Sequence, residues 1–245
     1  MRAIILAAGR GSRLNALTDD KPKCFLEVAG VSLIQRQIDC FTAVGIDQIS
    51  VVVGYKAEMF NQLAVTKIEN KNWQQTEIFG SLLCAKNLLS SEECIVSYSD
   101  IIFEKSILHK LKNAKSHINV AYDINWEDLW ICRFENPLDD AESFKIDKSE
   151  NILEIGKKAN STKEIMGQYM GLIKLTPEGW NEIYSFSDGL RFDDSESLQM
   201  TQLLQLFIER SDKIAVKGVA FDGKWAEIDD EHDIHVASKI FKDHR

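Results

Sequence analysis

The stretch AIILAAGRGSRLNALTDDKPKCFLE, residues 3–27, decides the fold of this chain. It opens with a continuous apolar run at residues 4–8, which is typical of a buried strand in a parallel sheet rather than of an alternating surface strand. Two glycines and two arginines follow between residues 9 and 13, and a Lys-Pro-Lys comes later. The pattern predicts an anion site at the carboxyl end of a buried strand.

The turn after this strand is suited to a chain of phosphates. Gly9 and Gly11 permit backbone conformations that other residues avoid, and they let main-chain N–H groups approach a ligand closely. Arg10 and Arg13 add fixed positive charge. Two known glycine motifs do not match, because the dinucleotide fingerprint requires a third glycine where Leu14 stands and the P-loop requires Gly-Lys-Ser/Thr. The loop is therefore of another kind.

Lys21, Pro22 and Lys23 form a second basic element, in which the proline stiffens the backbone between two cations. Residues 1–30 carry five basic and three acidic side chains, a local charge of +2 in a chain whose formal net charge is −9. An ordinary strand, a mobile loop and solvated lysines are the alternative interpretation, which the whole pattern disfavours. The overall acidity argues against a nucleic-acid backbone or an anionic membrane as partner.

LAAGRGSRL at residues 6–14, followed by KPK at residues 21–23, resembles the G-x-G-x-R…K-P-K signature of nucleotidyltransferases that activate sugar phosphates and phosphocholine. Such enzymes join a nucleoside triphosphate to a phosphorylated small molecule and release pyrophosphate. The resemblance implies an α/β, Rossmann-like three-layer fold with a mixed, mostly parallel central sheet. It also implies that Arg13 grips the β- and γ-phosphates and that Lys23 lies at the reacting phosphates.

The same resemblance assigns a set of nucleotide-binding residues. Backbone groups of the first loop would hold the base and the phosphates. The segment TEIFGSL at residues 76–82 loosely resembles the part of the phosphocholine-type enzymes that meets the base and ribose. The expected nucleotide contacts are Leu6, Ala7, Ala8, Gly9, Gly11, Ser12, Gly80 and Ser81.

The first half of the chain alternates strand-like and helix-like segments, which is the pattern of a parallel sheet covered by helices. Helical spacing of apolar residues ends at Gly45, in the manner of a C-terminal cap. In such sheets ligands collect beyond the carboxyl ends of the strands, where the first loop would lie. The predicted strands are 49–53, 65–68 and 94–100, and the predicted helices are 33–44, 56–63 and 78–89.

Two aspartates are candidate Mg²⁺ ligands. Asp100 ends the strand CIVSYSD, and a parallel sheet would present it to the ligand of the first loop. The late segment WAEIDDEHD resembles the family's W-x-E-I-D…D segment, which implies that Asp229 is the second ligand. Asp230 and Asp233 are weaker candidates because helix N-caps favour Asp. Without the resemblance, a single Asp after a strand more often serves as a turn or cap residue.

Several strand-like runs separated by turn residues occur between residues 118 and 176. They predict a β-rich, antiparallel section that lies over the open edge of the nucleotide site and supplies the pocket of the second substrate. Lys157 resembles the family's second lysine, which contacts the acceptor phosphate; two solvated lysines at a strand end are the alternative. Trp126, Trp130 and Tyr169 are candidate acceptor contacts, since aromatic faces beside carboxylates could cage an ammonium group; core packing is the alternative for the tryptophans. The predicted strands are 118–122, 129–134, 144–146, 152–155 and 169–175.

The remaining chain is expected to return as helices at 180–186 and 198–208, joined by a mobile loop at 187–197. A strand at 214–219 and a strand at 225–230 that enters a final helix at 232–241 complete the prediction. We thus expect one nucleotidyltransferase domain over residues 1–245, with a nucleotide-binding core at 1–117, the acceptor section at 118–176 and a helical return at 177–245. No stretch approaches the roughly 20 apolar residues of a membrane span, which favours a cytoplasmic protein. A monomer or a homodimer is expected.

The expected reaction is attack by an acceptor phosphate or phosphonate oxygen on the α-phosphorus of CTP, with Mg²⁺ as cofactor. The moderate length and the late E-I-D segment look more like phosphocholine and aminoethylphosphonate cytidylyltransferases than like the large sugar-nucleotide enzymes. A phospho-amino-acid-like acceptor is also possible. The alternatives are a sugar-1-phosphate nucleotidyltransferase using UTP, dTTP or GTP, and an inactive nucleotide-binding regulatory homologue. The second is disfavoured because Arg13, Lys23, Asp100 and Asp229 are all present.

Overall fold

A computed structural model describes residues 1–190 and 198–242, apart from the side chain of Asn15. The strands, in chain order, are β1 Arg2–Ala7, β2 Glu27–Val28, β3 Val31–Ser32, β4 Ile49–Val53, β5 Thr66–Glu69, β6 Cys94–Tyr98, β7 Ile101–Phe103, β8 Ile118–Asp123, β9 Glu142–Ile146, β10 Ile152–Lys158, β11 Gln168–Leu175, β12 Val216–Phe221 and β13 Trp225–Glu227. The α-helices of the described residues are α1 Leu33–Ala43, α2 Ile78–Leu83, α3 Lys86–Leu89, α4 Ser106–Asn113, α5 Trp126–Arg133, α6 Pro177–Asp188, α7 Met200–Arg210 and α8 Glu231–Ile240.

Seven of the described strands form one central sheet in the order β12-β8-β11-β6-β1-β4-β5. Every neighbouring pair is parallel except the two that involve β11, which runs antiparallel to β6 and β8. The apolar runs of β1, β4 and β8 are buried along nearly their whole length, as expected for strands covered on both faces. The expected mixed, mostly parallel sheet is confirmed.

The register of the central strands places the two candidate site segments side by side. β1 lies beside β6 with Leu6 opposite Tyr98, so the glycine loop that follows β1 and Asp100 that follows β6 emerge at the same edge. A second link comes from the late part of the chain. β13 pairs antiparallel with β7, and the backbone N–H of Ile228 donates to the carbonyl of Asp100 at 2.9 Å. This pairing brings Asp229 to the site.

A small apolar cluster fixes that late segment. It joins the β2–β3 hairpin, the start of α1, β7 and α8, and it consists of Val28, Leu33, Ile102, Ala226, Ile228, Ala237 and Phe241, each at most 4% exposed. Because the cluster contains residues from both ends of the described chain, it holds the N-terminal and late segments in a fixed relation. The acidic segment after β13 is therefore anchored by core packing.

The strand predicted at residues 129–134 is wrong, because this segment belongs to helix α5. Trp126, Leu129, Trp130 and Arg133 bury one face of the helix, and their spacing of three, four and seven residues is that of a helix. The helix predicted at 78–89 is interrupted between α2 and α3. The helix predicted at 56–63 is a 3-10 helix, Ala57–Gln62.

The strands predicted between residues 118 and 176 fall into two groups. β8 and β11 belong to the central sheet, whereas β9 and β10 form a separate antiparallel hairpin that contacts α7. Of the loop predicted at 187–197, residues 191–197 lie outside the described residues, and α6 extends to Asp188. Within the described part of the chain, no helix is long and apolar enough to cross a membrane.

Candidate active site

The loop after β1 requires glycine at position 11 for two reasons. Gly11 has a φ of 76°, a conformation that favours glycine, and it precedes the 3-10 helix Ser12–Thr18. A Cβ at this position would lie 2.7 Å from Cβ of Lys23. The first loop and the Lys-Pro-Lys element are therefore in direct contact, which explains why the two motifs occur together.

Lys23 occupies the centre of the site. Its side chain is 11% exposed, and its ammonium donates to Oδ2 of Asp100 and to Oδ1 of Asp229, each at 2.9 Å. Burial alone lowers the pKa of Lys23, but the two carboxylates more than offset this effect and raise the pKa above its usual value. Lys23 is therefore a buried, fully charged cation.

Three carboxylates converge around this ammonium. One oxygen from each of Asp100, Glu227 and Asp229 lies within 4.8 Å of the others. Burial and, to a lesser extent, the charge of Asp229 together raise the pKa of Glu227 to about 8, although Arg133 acts in the opposite direction. For Asp229, burial acts in the same direction, but Lys23 and the nearby arginines reverse the effect and hold the pKa below its usual value.

The donor set fits a divalent cation that prefers oxygen ligands. The oxygen Oδ1 of Asp100 is buried and has no hydrogen-bond partner among the described residues. A buried carboxylate oxygen without a partner is costly unless a ligand satisfies it. Mg²⁺ is commonly held by one or two carboxylates together with substrate phosphates, so the residues present are chemically suitable.

Arg133 is a site residue that sequence reasoning missed. Its side chain is 1% exposed, and Nε and Nη2 donate to the two carboxylate oxygens of Asp233 at 2.8 and 3.2 Å. Nη1 donates to Oε2 of Glu227 at 3.1 Å, and Nη2 donates to Oδ2 of Asp229 at 3.4 Å. The signal was available in the helical spacing of α5, which the strand prediction obscured.

The two weaker metal candidates serve the start of α8 instead. Oδ1 of Asp230 accepts from the backbone N–H of Asp233, and Oδ2 of Asp233 accepts from the N–H groups of Asp229 and Asp230. Together they form a capping box at the helix N-terminus. Their carboxylates are thus engaged in holding the segment that carries Asp229.

A cavity of about 380 Å³ opens above these groups. It is lined by most of the residues that were predicted from the sequence to contact the nucleotide, its phosphates or the metal: Leu6, Ala8, Gly9, Gly11, Ser12, Arg13, Lys23, Ser81, Asp100 and Asp229. Ala7 and Gly80 are buried and do not line it. The cavity is also lined by four residues that were not predicted from the sequence as site residues: Trp73, Tyr98, Gln199 and Glu227.

One wall of the cavity is held by a polar network. The buried amide of Asn70 donates to Thr76 Oγ1 at 2.9 Å and to Ser81 Oγ at 3.1 Å. At the rim, the side chain of Gln199 donates to Glu77 Oε2 at 2.7 Å, which joins the start of α7 to the start of α2. This contact spans residues far apart in sequence, so no local pattern could reveal it.

The structure does not bring the proposed second lysine into the cavity. The side chain of Lys157 is 48% exposed, and its ammonium donates to Glu209 Oε1 at 2.7 Å. That hydrogen bond raises the pKa of Lys157. The side chain therefore joins β10 to α7, and its role toward an acceptor stays a prediction.

The structure does not support the tryptophan cage, because Trp126 and Trp130 are both buried and neither lines the cavity. They pack edge to face, with centroids 5.9 Å apart, and their N–H groups donate to the carbonyl of Ile165 and to Oδ2 of Asp140. These contacts favour the core-packing alternative, and a role toward an acceptor stays a prediction. Tyr169 packs edge to face on Tyr98, which itself lines the cavity, with ring centroids 5.6 Å apart.

Comparison with known proteins identifies the family. Residues 3–131 match the family described as MobA-like NTP transferase domain. The chain is 38% identical over 252 residues to the CTP:phosphoglutamine cytidylyltransferase of Campylobacter jejuni, an alignment that covers 96% of this chain and 98% of that protein. The chain therefore belongs to the MobA-like NTP transferase family, and the nucleotidyltransferase resemblance is confirmed.

Two further matches extend this result. The 2-aminoethylphosphonate cytidylyltransferase of Lancefieldella rimae is 28% identical over 171 residues, which cover 67% of this chain and 64% of that protein. The solved structure of the inositol-1-phosphate CTP transferase from T. maritima superposes with a TM-score of 0.77 at 24% identity, and it covers 100% of this chain and 97% of that chain. The latter similarity confirms the Rossmann-like nucleotidyltransferase fold.

Proposed function

We propose that this chain is a cytidylyltransferase that transfers CMP from CTP to a small phosphorylated acceptor and releases pyrophosphate. The carrying observation is the buried ammonium of Lys23, which lies between Asp100 and Asp229 in the same cavity as the glycine loop. The near full-length similarity to a phosphoglutamine enzyme favours a phosphorylated amino-acid amide as the acceptor. Phosphocholine and aminoethylphosphonate remain within the proposed acceptor class.

In the proposed reaction, an oxygen of the acceptor phosphate attacks the α-phosphorus of CTP. A new P–O bond forms, the bond between the α-phosphorus and the bridging oxygen breaks, and pyrophosphate leaves with the electron pair. The attacking phosphate is already ionised near neutral pH, since its second pKa is about 6, so the chain needs no general base. The fixed charges of Lys23 and Arg13 oppose the repulsion between the two anions.

We propose that Asp100 and Asp229 hold Mg²⁺, with Glu227 beside them. The unsatisfied oxygen of Asp100 and the convergence of three carboxylates support this assignment. When bound, Mg²⁺ supplies positive charge that offsets the charge developing on the phosphates. The proposed nucleotide contacts are the loop residues that line the cavity together with Ser81.

We also propose that residues 118–176 supply the acceptor pocket and that the reaction takes place in the cytoplasm. Support for the first point comes from β11, whose Tyr169 packs directly behind Tyr98 at the cavity wall. Lys157 could serve the acceptor phosphate after releasing Glu209, to which it is hydrogen-bonded in the structure.

The function is tested by pyrophosphate release with Mg²⁺, using CTP, UTP, ATP, GTP and dTTP against phosphoglutamine, phosphocholine, 2-aminoethylphosphonate and sugar 1-phosphates. We expect release with CTP and an amine-bearing acceptor, with phosphoglutamine the best. Release with UTP or dTTP and a sugar 1-phosphate would contradict the cytidylyltransferase proposal while keeping the site chemistry. No release with any pair would contradict the proposed acceptor class.

A further inference from the structure

Arg133 contacts one oxygen of each of two carboxylates in the candidate metal cluster. Its guanidinium donates to Oε2 of Glu227 and to Oδ2 of Asp229. The other oxygen of Asp229, Oδ1, faces Lys23. Asp229 is therefore held from two opposite sides, and the contacts of Arg133 fix which of its oxygens faces the cavity centre.

Arg133 is itself held rigidly in place. It makes a bidentate contact with Asp233, whose Oδ2 also accepts from the backbone N–H of Asp229 at 2.8 Å. The guanidinium carbon lies 5.2 and 5.0 Å from the ring centroids of Trp130 and Phe134. A planar group that is anchored by two oxygens and two rings can serve as a fixed reference for its remaining contacts.

We infer that Arg133 is a positioning residue, whose guanidinium orients Glu227 and Asp229 so that their inner oxygens converge with Asp100 on one divalent cation. The inference rests on the metal site of the proposed function. Outer contacts of this kind commonly set the orientation of the ligands and the affinity of a metal site.

Orientation, and not charge, is the benefit that Arg133 can provide. A positive charge next to a cation site opposes the binding of a second cation, so the charge alone would weaken metal binding. Lysine carries the same charge but cannot reproduce the planar, multidentate geometry. Arg133→Lys therefore separates the two contributions, because the charge is kept and the geometry is lost.

The test uses Mn²⁺ as an oxygen-preferring probe of the Mg²⁺ site. Binding of Mn²⁺ is measured by electron paramagnetic resonance on the full chain, in the presence of α,β-methylene-CTP, which cannot react. We expect Arg133→Lys to weaken Mn²⁺ binding by about 10-fold or more. In activity assays the Mg²⁺ concentration for half-maximal rate rises correspondingly, whereas KM for CTP at saturating Mg²⁺ stays unchanged.

His232→Ala is the matched control. Its ring Nε2 lies 3.0 Å from the carbonyl of Cys132, so the contact joins the same two helices one residue away on each. The control should lose this link between α5 and α8 without changing Mn²⁺ affinity. Thermal unfolding of both variants shows whether the effect of Arg133→Lys follows metal geometry or general stability.

Asp233→Asn keeps the test decisive if Arg133→Lys does not fold. It removes the charge of the carboxylate that anchors the guanidinium, and we expect weaker Mn²⁺ binding as well. The inference would be overturned if folded Arg133→Lys or folded Asp233→Asn bound Mn²⁺ with an affinity within about twofold of that of the unaltered chain.

The remaining outcomes separate this inference from the proposed function. No bound Mn²⁺ in the unaltered chain would overturn the role of Arg133 and the metal site together. Weakened Mn²⁺ binding in Arg133→Lys supports that role even if no CMP transfer is found with any proposed acceptor, a result that would contradict the proposed reaction alone.

Discussion

The ammonium of Lys23 lies 2.9 Å from Oδ2 of Asp100, although 77 positions separate the two residues in the sequence. The contact exists because β1 and β6 are parallel neighbours in the sheet, so the segments that follow them meet at one edge. It joins the basic element near the N-terminus to the first candidate metal ligand.

Lys23 should be required for turnover but not for folding. We expect Lys23→Ala to lower turnover by about 10²–10³-fold, the cost typical of losing a preorganised charge at reacting phosphates, while the fold stays intact. Steady-state kinetics with CTP and circular dichroism provide the measurement. Lys21→Ala, in the same Lys-Pro-Lys element, is the control and should retain most activity. Near-normal turnover in folded Lys23→Ala would refute the assignment.

Substitution of Gly11 tests the contact between the first loop and Lys23. Gly11 and Gly45 have similar φ angles, 76° and 73°, but an added Cβ meets Lys23 at position 11 and nothing within 4 Å at position 45. Gly45→Ala should lower the free energy of unfolding by about 1–2 kcal/mol through backbone strain alone and leave turnover unchanged. Gly11→Ala should cost more and also reduce turnover. Urea denaturation and kinetics measure both effects, and equal behaviour of the two variants would contradict the close approach.

Asp229 and Asp230 are adjacent in the sequence, but only Asp229 should affect metal binding. We expect Asp229→Asn to reduce turnover strongly and to raise the Mg²⁺ requirement, because it removes a cluster charge. Asp230→Asn should instead cost at most about 1 kcal/mol of stability, since its carboxylate caps α8 and Asn is also a good cap. Mg²⁺ titrations of activity and denaturant unfolding distinguish the two. A larger metal effect at position 230 would reverse the assignment.

The buried tryptophan Trp126 should act through stability. We expect Trp126→Ala to lower the free energy of unfolding by about 3–5 kcal/mol, the usual cost of removing a large core side chain. Trp126→Phe, which keeps most of the packing, should leave KM unchanged for both amine-bearing and amine-free acceptors. Selective loss of affinity for amine-bearing acceptors in Trp126→Phe would restore the cage hypothesis.

Local patterns were sufficient for the features that depend on short segments. The apolar run before Gly9 predicted the central strand, and the basic residues Arg13 and Lys23 were identified from the loop and the Lys-Pro-Lys element. Asp100 was identified from its place at a strand end together with the family resemblance. The strand prediction succeeded because strand burial is encoded within a few neighbouring residues. Arg13, Lys23 and Asp100 line one cavity, and their catalytic and metal-binding roles stay predictions.

The remaining parts of the site depend on contacts between distant segments. Arg133 was missed because the apolar residues of α5 were interpreted as a strand, although their spacing fits a helix. Glu227 reaches the cavity through the β13–β7 pairing, and its sequence signal was the glutamate of the W-x-E-I-D segment, to which no role was assigned. Gln199 reaches the cavity from the start of α7, which leaves no local signal. The choice between a cage and core packing for the two tryptophans stayed open in the sequence, because a pattern of aromatic and acidic residues does not reveal which side chains are buried.

The most direct test of the account is to identify the product of CTP, phosphoglutamine, Mg²⁺ and the purified chain by ³¹P nuclear magnetic resonance and mass spectrometry. We expect pyrophosphate together with an acceptor that has gained CMP through a new P–O–P linkage, and neither product with Lys23→Ala. Unchanged CTP with phosphoglutamine, phosphocholine and aminoethylphosphonate alike, from a folded chain, would contradict the proposed cytidylyl transfer.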